Sequence, residues 1–120
     1  GIGAIREKSV ALTDFIIFLF DKWLAAAGFE LGSPRDQGER GSHVSIRHPE
    51  AMRICKALAA PIDAGDARVI PDFRSPDNIR LGVAPMYNSF MDVLLAMSRL
   101  RDIVEHGTYA SFDTEAEGAT

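Results

Sequence analysis

Asp77-Asn78-Ile79-Arg80-Leu81-Gly82-Val83-Ala84-Pro85-Met86-Tyr87-Asn88-Ser89-Phe90-Met91-Asp92-Val93 is the stretch in which the apolar period of this chain changes from two to about 3.6. Its first half alternates. Ile79, Leu81 and Val83 fall on one side of an extended segment and Arg80 and Gly82 on the other, because successive side chains of a strand point to opposite faces. Pro85 stops the strand and Tyr87-Asn88-Ser89 makes a turn. A helix then starts with Ser89 as its N-cap and Asp92 at the positive end of its dipole. Val93, Leu94, Met97, Leu100, Ile103 and Val104 form its buried stripe, and Gly107 ends it. On the strand, a guanidinium beside a glycine, with a wholly apolar reverse side, suits a groove where a small anion approaches the backbone. The spacing alone favours the more ordinary reading, an arginine on the wet face of a half-buried sheet. Tyr87 and Asn88 either line a cleft or simply make the turn.

Upstream, the same period of two recurs in Ser42-His43-Val44-Ser45-Ile46-Arg47, with Val44 and Ile46 facing in and His43, Ser45 and Arg47 facing out. His48-Pro49-Glu50 opens a helix with Pro49 at its first position, running to about Ala60 over Met52, Ile54, Cys55 and Leu58. Arg68-Val69-Ile70 reads as a short strand stopped by Pro71, and Asp72 to Pro76 as a turn. Phe29-Glu30-Leu31 is a short extended segment before an exposed loop from Gly32 to Gly41. Ala4 to Ala27 holds no proline or glycine and reads as one long helix closed by Gly28. Leu12, Phe15, Ile16, Leu19 and Trp23 stripe this helix, while Ile17, Phe18, Phe20 and Leu24 fill much of the remaining circumference. A helix apolar nearly all round needs cover on more than one side. The second cover is expected from another domain or subunit.

The element order is helix, strand, strand, helix, strand, strand, helix, without internal repeats. It predicts an α/β fold of α+β type: a small, mainly antiparallel sheet of three to four strands with helices on one face. The expected divisions are a long helix over 1–28, a small domain over 29–106, and a flexible acidic tail over 107–120. The chain begins Gly1-Ile2-Gly3, which suits a piece of something longer or a processed chain.

Composition bounds the function. Apolar residues make up 47% and charged ones 25%, the balance of a globular protein. Thirteen basic against 17 acidic residues leave a net charge of −4 with no basic stripe, which speaks against nucleic acid. The longest apolar run, Phe15 to Phe20, is six residues where a bilayer span needs ~20, so no membrane partner is expected. No signal peptide is read, and the single Cys55 fits a reducing cytoplasm and a buried structural thiol. His43, His48 and His106 show no metal-ligand spacing, so no metal is expected. No phosphate-binding glycine loop, acid pair or nucleophile–base pair is complete. By itself, the sequence permits a fragment of an enzyme or a binding module.

The motifs resemble one family. Ile79-Arg80 with Ala84-Pro85-Met86-Tyr87-Asn88-Ser89-Phe90-Met91-Asp92-Val93 is similar to the C-terminal signature of kynureninases, pyridoxal-phosphate enzymes of the aspartate-aminotransferase fold type. Ile5 to Thr13, Arg40 to Ala51 and Val69 to Asp77 resemble the same family in the same order. The resemblance implies a small C-terminal domain, here without the large one. The intact enzyme would be a cytoplasmic homodimer that hydrolyses L-kynurenine or 3-hydroxykynurenine to an anthranilate and L-alanine. It implies that the large domain holds pyridoxal 5'-phosphate and supplies the Schiff-base lysine, so that Lys8, Lys22 and Lys56 have no cofactor role. It assigns Arg80 to the substrate α-carboxylate, with Gly82, Tyr87 and Asn88 as candidate cleft lining and no catalytic or cofactor-binding residue in this stretch. Ser42, His43 and Arg74 match family positions without an implied contact. Pro61 to Asp66 is an insertion against the family pattern. Two alternatives stay open: the matching domain of a cysteine desulfurase or other class V aminotransferase, and a non-catalytic α/β binding or dimerisation module.

Overall fold

The computed structural model describes residues 1–39, 41–60 and 69–114. The elements are α1 (Ile2–Leu19), β1 (Glu30–Leu31), β2 (His43–Arg47), α2 (Ala51–Ala59), β3 (Ile70–Arg74), β4 (Asn78–Gly82) and α3 (Phe90–His106). The four strands form one antiparallel sheet in the order β1-β2-β4-β3. The α/β class, the antiparallel pairing and the helical layer follow the expectation from the sequence. Among the described residues no helix is long and apolar enough to cross a membrane.

The alternation in β2 and β4 decides which side is core. Val44, Ile46, Ile79 and Leu81 are enclosed, whereas His43, Ser45, Asn78, Arg80 and Gly82 are half-buried on the reverse. α1 packs against β2, α2 against β3 and β4, and α3 lies across both helices with Val93, Met97 and Leu100 fully enclosed. Each such side chain contributes roughly 1.5–3 kcal/mol through burial. α3 begins as its sequence requires. Ser89 Oγ accepts from the Asp92 N–H at 3.1 Å and Asp92 Oδ2 from the Ser89 N–H at 2.8 Å, a reciprocal capping box.

Four expectations are corrected. First, the long helix changes character: a wide π turn over Phe20–Leu24 and a 3-10 turn over Ala25–Ala27 follow α1 before Gly28 closes it at φ 92°. The wide turn advances each residue by a smaller angle, so Leu24 stays on the buried side. α3 supplies the second cover from within this chain, and Ile17, Phe20 and Leu24 are buried by it and the sheet. Phe18 remains exposed. Second, α2 opens at Ala51 rather than at Pro49. The His48 carbonyl takes the Ala51 N–H and His48 Nδ1 takes the Glu50 N–H at 2.9 Å, which holds residues 48–50 in a turn.

Third, Pro71 does not end a strand but lies inside β3, paired with Leu81. β3 is the outer strand, so one of its sides needs no N–H donors and a proline fits there. Asp72 and Arg74 therefore belong to the strand, and the turn shrinks to Ser75-Pro76-Asp77. Fourth, packing does not stop at Gly107. Thr108–Ser111 is a 3-10 turn, Tyr109 and Phe112 pack on the core, and Lys56 pairs with Asp113. Arg68, the Pro61–Asp66 insertion and the last six residues lie outside the described residues.

Candidate functional site

The reverse side of the sheet is built row by row from the strand register. His43, Gly82 and Ile70 share one row, Ser45, Arg80 and Asp72 the next, and Arg47, Asn78 and Arg74 the third. Arg80 stands in the middle of this polar face on the inner strand β4, with its side chain 38% exposed. Its one ion pair among the described residues is long, Nη2 to Asp72 Oδ2 at 3.8 Å. The same Asp72 oxygen accepts from Arg74 Nε at 2.9 Å, so Asp72 is engaged chiefly by Arg74. The Arg80 fork thus remains available to a further anion. Beside it, among the described residues, a Cβ on Gly82 would touch only the Ile70 carbonyl oxygen, at 3.7 Å. Gly82 therefore leaves open room next to the guanidinium.

The electrostatics of the face agree. His43 is held below its ordinary pKa first by burial, then by the charges of Arg80 and Arg74. Those two arginines make the face electropositive at the row where Gly82 leaves space, which suits a small carboxylate bound through a planar fork.

The other sequence candidates separate. Tyr87 is 78% exposed at the tip of the turn after β4. Asn88 is 2% exposed: its Oδ1 accepts the Ala84 N–H at 2.7 Å and its own N–H reaches the Ala84 carbonyl at 2.8 Å. These bonds tie the turn together. Ser42 Oγ meets Ser9 Oγ at 3.0 Å, joining the start of β2 to α1. Arg74 belongs to the polar face as the partner of Asp72. Asp72 itself escaped the sequence reading, although alternation carried through Pro71 puts it beside Arg80.

The three lysines, all among the described residues, lie away from Arg80. Lys8 is exposed on α1, Lys22 Nζ lies 5.7 Å from the Phe18 ring centre, and Lys56 pairs with Asp113. None belongs to the Arg80 face. A cleft of about 300 Å³ between α2 and β3, lined by Met52, Cys55, Lys56 and Phe73, does not include Arg80 either. The arginine sits instead on the polar side of the sheet, 38% exposed.

Comparison with known proteins identifies the family. The family model of the kynureninase C-terminal domain matches residues 5–100. The chain is 41% identical over 117 residues to a kynureninase of Shouchella clausii (strain KSM-K16). It is 38% identical over 117 residues to those of Geobacillus thermodenitrificans (strain NG80-2) and Bacillus thuringiensis subsp. konkukian (strain 97-27). Each alignment covers 98% of this chain but 26% of the relative, so the chain spans about a quarter of the length of these curated relatives. With the match running through β2, β4 and the turn that follows, the chain belongs to the kynureninase C-terminal domain family.

Proposed function

We propose that this chain is the small domain of a full-length kynureninase, and that Arg80 binds the α-carboxylate of L-kynurenine or 3-hydroxykynurenine. The observation that carries the reading is the Arg80 fork, loosely held on the open polar face of the sheet beside the space above Gly82. In the whole enzyme the large domain would hold pyridoxal 5'-phosphate and the reacting groups, and the products would be an anthranilate and L-alanine. The contribution of Arg80 is orientation: a bidentate guanidinium–carboxylate pair fixes the substrate in two directions as well as adding affinity. The working form would be a cytoplasmic homodimer.

The test is Arg80→Lys in the full-length protein. Lysine keeps the charge but loses the second bond of the fork, worth about 1.5–3 kcal/mol, or roughly a 10- to 150-fold loss in kcat/KM. Cofactor content should stay at the wild-type level. Unchanged kinetics would remove Arg80 from the site. Failure of the wild-type enzyme to release anthranilate from kynurenine would move the chain to another class V enzyme or to a non-catalytic role.

A further inference from the structure

The three histidines of this chain differ in what their rings touch. His48 Nδ1 accepts the Glu50 N–H at 2.9 Å, and His106 Nδ1 lies 3.0 Å from the Asp102 carbonyl oxygen. Those two rings serve their own backbone. The ring nitrogens of His43 have no hydrogen-bond partner among the described residues. His43 opens β2 on the polar side of the sheet, half-buried and opposite Gly82. Arg80 is two residues from Gly82 along β4, which makes it the diagonal neighbour of His43. Diagonal positions of an antiparallel pair stand roughly 7–8 Å apart, within reach of long side chains, and Gly82 puts no side chain beside that gap. Across the face His43 meets Arg80 from β4 and Asp72 and Arg74 from β3, while Arg47 stands two rows away on its own strand. The helices pack on the apolar side. The carboxylates on these strands are engaged: Asp72 accepts from Arg74 at 2.9 Å, and Glu30 pairs with Arg47 at 3.2 Å. His43 therefore faces two guanidinium groups, whose charge joins burial in disfavouring its protonated form.

We propose that His43 is a second contact for the carboxylate assigned to Arg80: as imidazolium it donates a ring N–H to that carboxylate, so the substrate is held more tightly as pH falls. The inference rests on the reading of Arg80 given above. Its basis is the sign of the charge that arrives. Without a ligand, a proton on His43 adds a third cation beside Arg80 and Arg74, which is unfavourable. A carboxylate seated between ring and fork offsets that repulsion, and the ring takes up one proton from water as the ligand binds. The extra hold is present below the pKa of the ring in the complex and is lost as pH rises through it. Room for a second donor exists, because a carboxylate has about four lone-pair sites and a bidentate fork uses two. The added bond is charge-assisted, so it contributes direction as well as attraction.

The experiment measures kcat and KM for L-kynurenine in the full-length protein between pH 6.0 and 8.5, for wild type, His43→Gln and His43→Lys. Each variant is divided by wild type at the same pH, which cancels the titrations they share. Glutamine keeps a donor but takes no proton. Its kcat/KM should equal wild type within about twofold at pH 8.5 and fall at least threefold below it at pH 6.0, with the change in KM. Lysine carries its charge throughout the range. Its kcat/KM should stay near wild type at pH 6.0 and rise at least threefold above it at pH 8.5. A His43→Gln loss of equal size at every pH marks a structural role and overturns the proposal, as does no loss at all. A His43→Lys variant no better than His43→Gln at pH 8.5 overturns it too, since charge would then have no part. Arg80→Lys in the same assay separates the two readings. Unchanged Arg80→Lys kinetics remove the carboxylate site itself, whereas an impaired Arg80→Lys with a pH-independent His43→Gln removes the His43 contact alone.

Discussion

Replacing Asn88 by alanine distinguishes a residue that holds the turn after β4 from one that lines a cleft. The substitution removes the Oδ1 acceptor of the Ala84 N–H, a 2.7 Å bond, and a marginal 3.5 Å contact from Nδ2 to Asp92. One short neutral hydrogen bond contributes about 1 kcal/mol net. The lost amide is enclosed, and the space it leaves costs about another 1 kcal/mol because its surroundings relax only partly. The marginal contact adds nothing, so the expected loss is about 2 kcal/mol. An unfolding entropy of roughly 2.1 cal/mol/K per residue gives 120 residues about 0.25 kcal/mol/K, so the melting temperature should fall by about 8 °C. Urea unfolding followed by far-ultraviolet circular dichroism measures the same loss at constant temperature. Tyr87→Ala, one residue away but mostly in solvent, should change stability by less than about 0.5 kcal/mol. If Asn88→Ala matched wild type, or Tyr87→Ala cost as much, the clamp would be refuted.

Three further outcomes are expected. Arg99 on α3 donates to the Ala57 carbonyl at 3.0 Å and to that of Ala60, closing the C-terminal end of α2, which no left-handed glycine caps. Arg99→Met keeps the stem but should cost about 1–2 kcal/mol in urea unfolding, and an unchanged midpoint would contradict the cap. His43 and His48 are both held below their ordinary pKa of 6.5, chiefly by burial. As pH falls below 6.5 the unfolded chain therefore takes up protons before the folded one, and stability should decline between pH 7.5 and 5.5. His48→Asn should flatten that decline, and an equal slope in the variant would exclude His48 as a cause. Finally, the purified 120-residue chain should neither retain pyridoxal phosphate nor release anthranilate, which a cofactor absorbance band or product formation would disprove.

Local rules made much of the fold readable. β2 and β4 announce themselves by strict alternation, and Ser89 with Asp92 marks the start of α3 because a capping box is closed within four residues. The misplaced features depend on neighbours that a single segment does not reveal. Pro71 reads as a terminator until β3 is known to be the outer strand, and that one position hid Asp72 from the polar face. The start of α2 is set by a ring nitrogen of His48 accepting a backbone N–H, a bond with no sequence signature. Tyr109 and Phe112 were overshadowed by the polar residues around them. Arg80 was visible as an outward arginine beside a glycine. Its setting, with Asp72 drawn off by Arg74, required the paired strands.

β4 hydrogen-bonds to β2 on one side and to β3 on the other. A residue mounted there cannot travel by loop rearrangement, since shifting it by even one register step would break two ladders and turn the oily row outward. If Arg80 takes a ligand as proposed, any approach beyond the reach of its own side chain would be a swing of the entire lobe. Under the proposed role of Arg80, distant substitutions that stiffen whatever pivots the lobe would weaken substrate capture while leaving the guanidinium untouched.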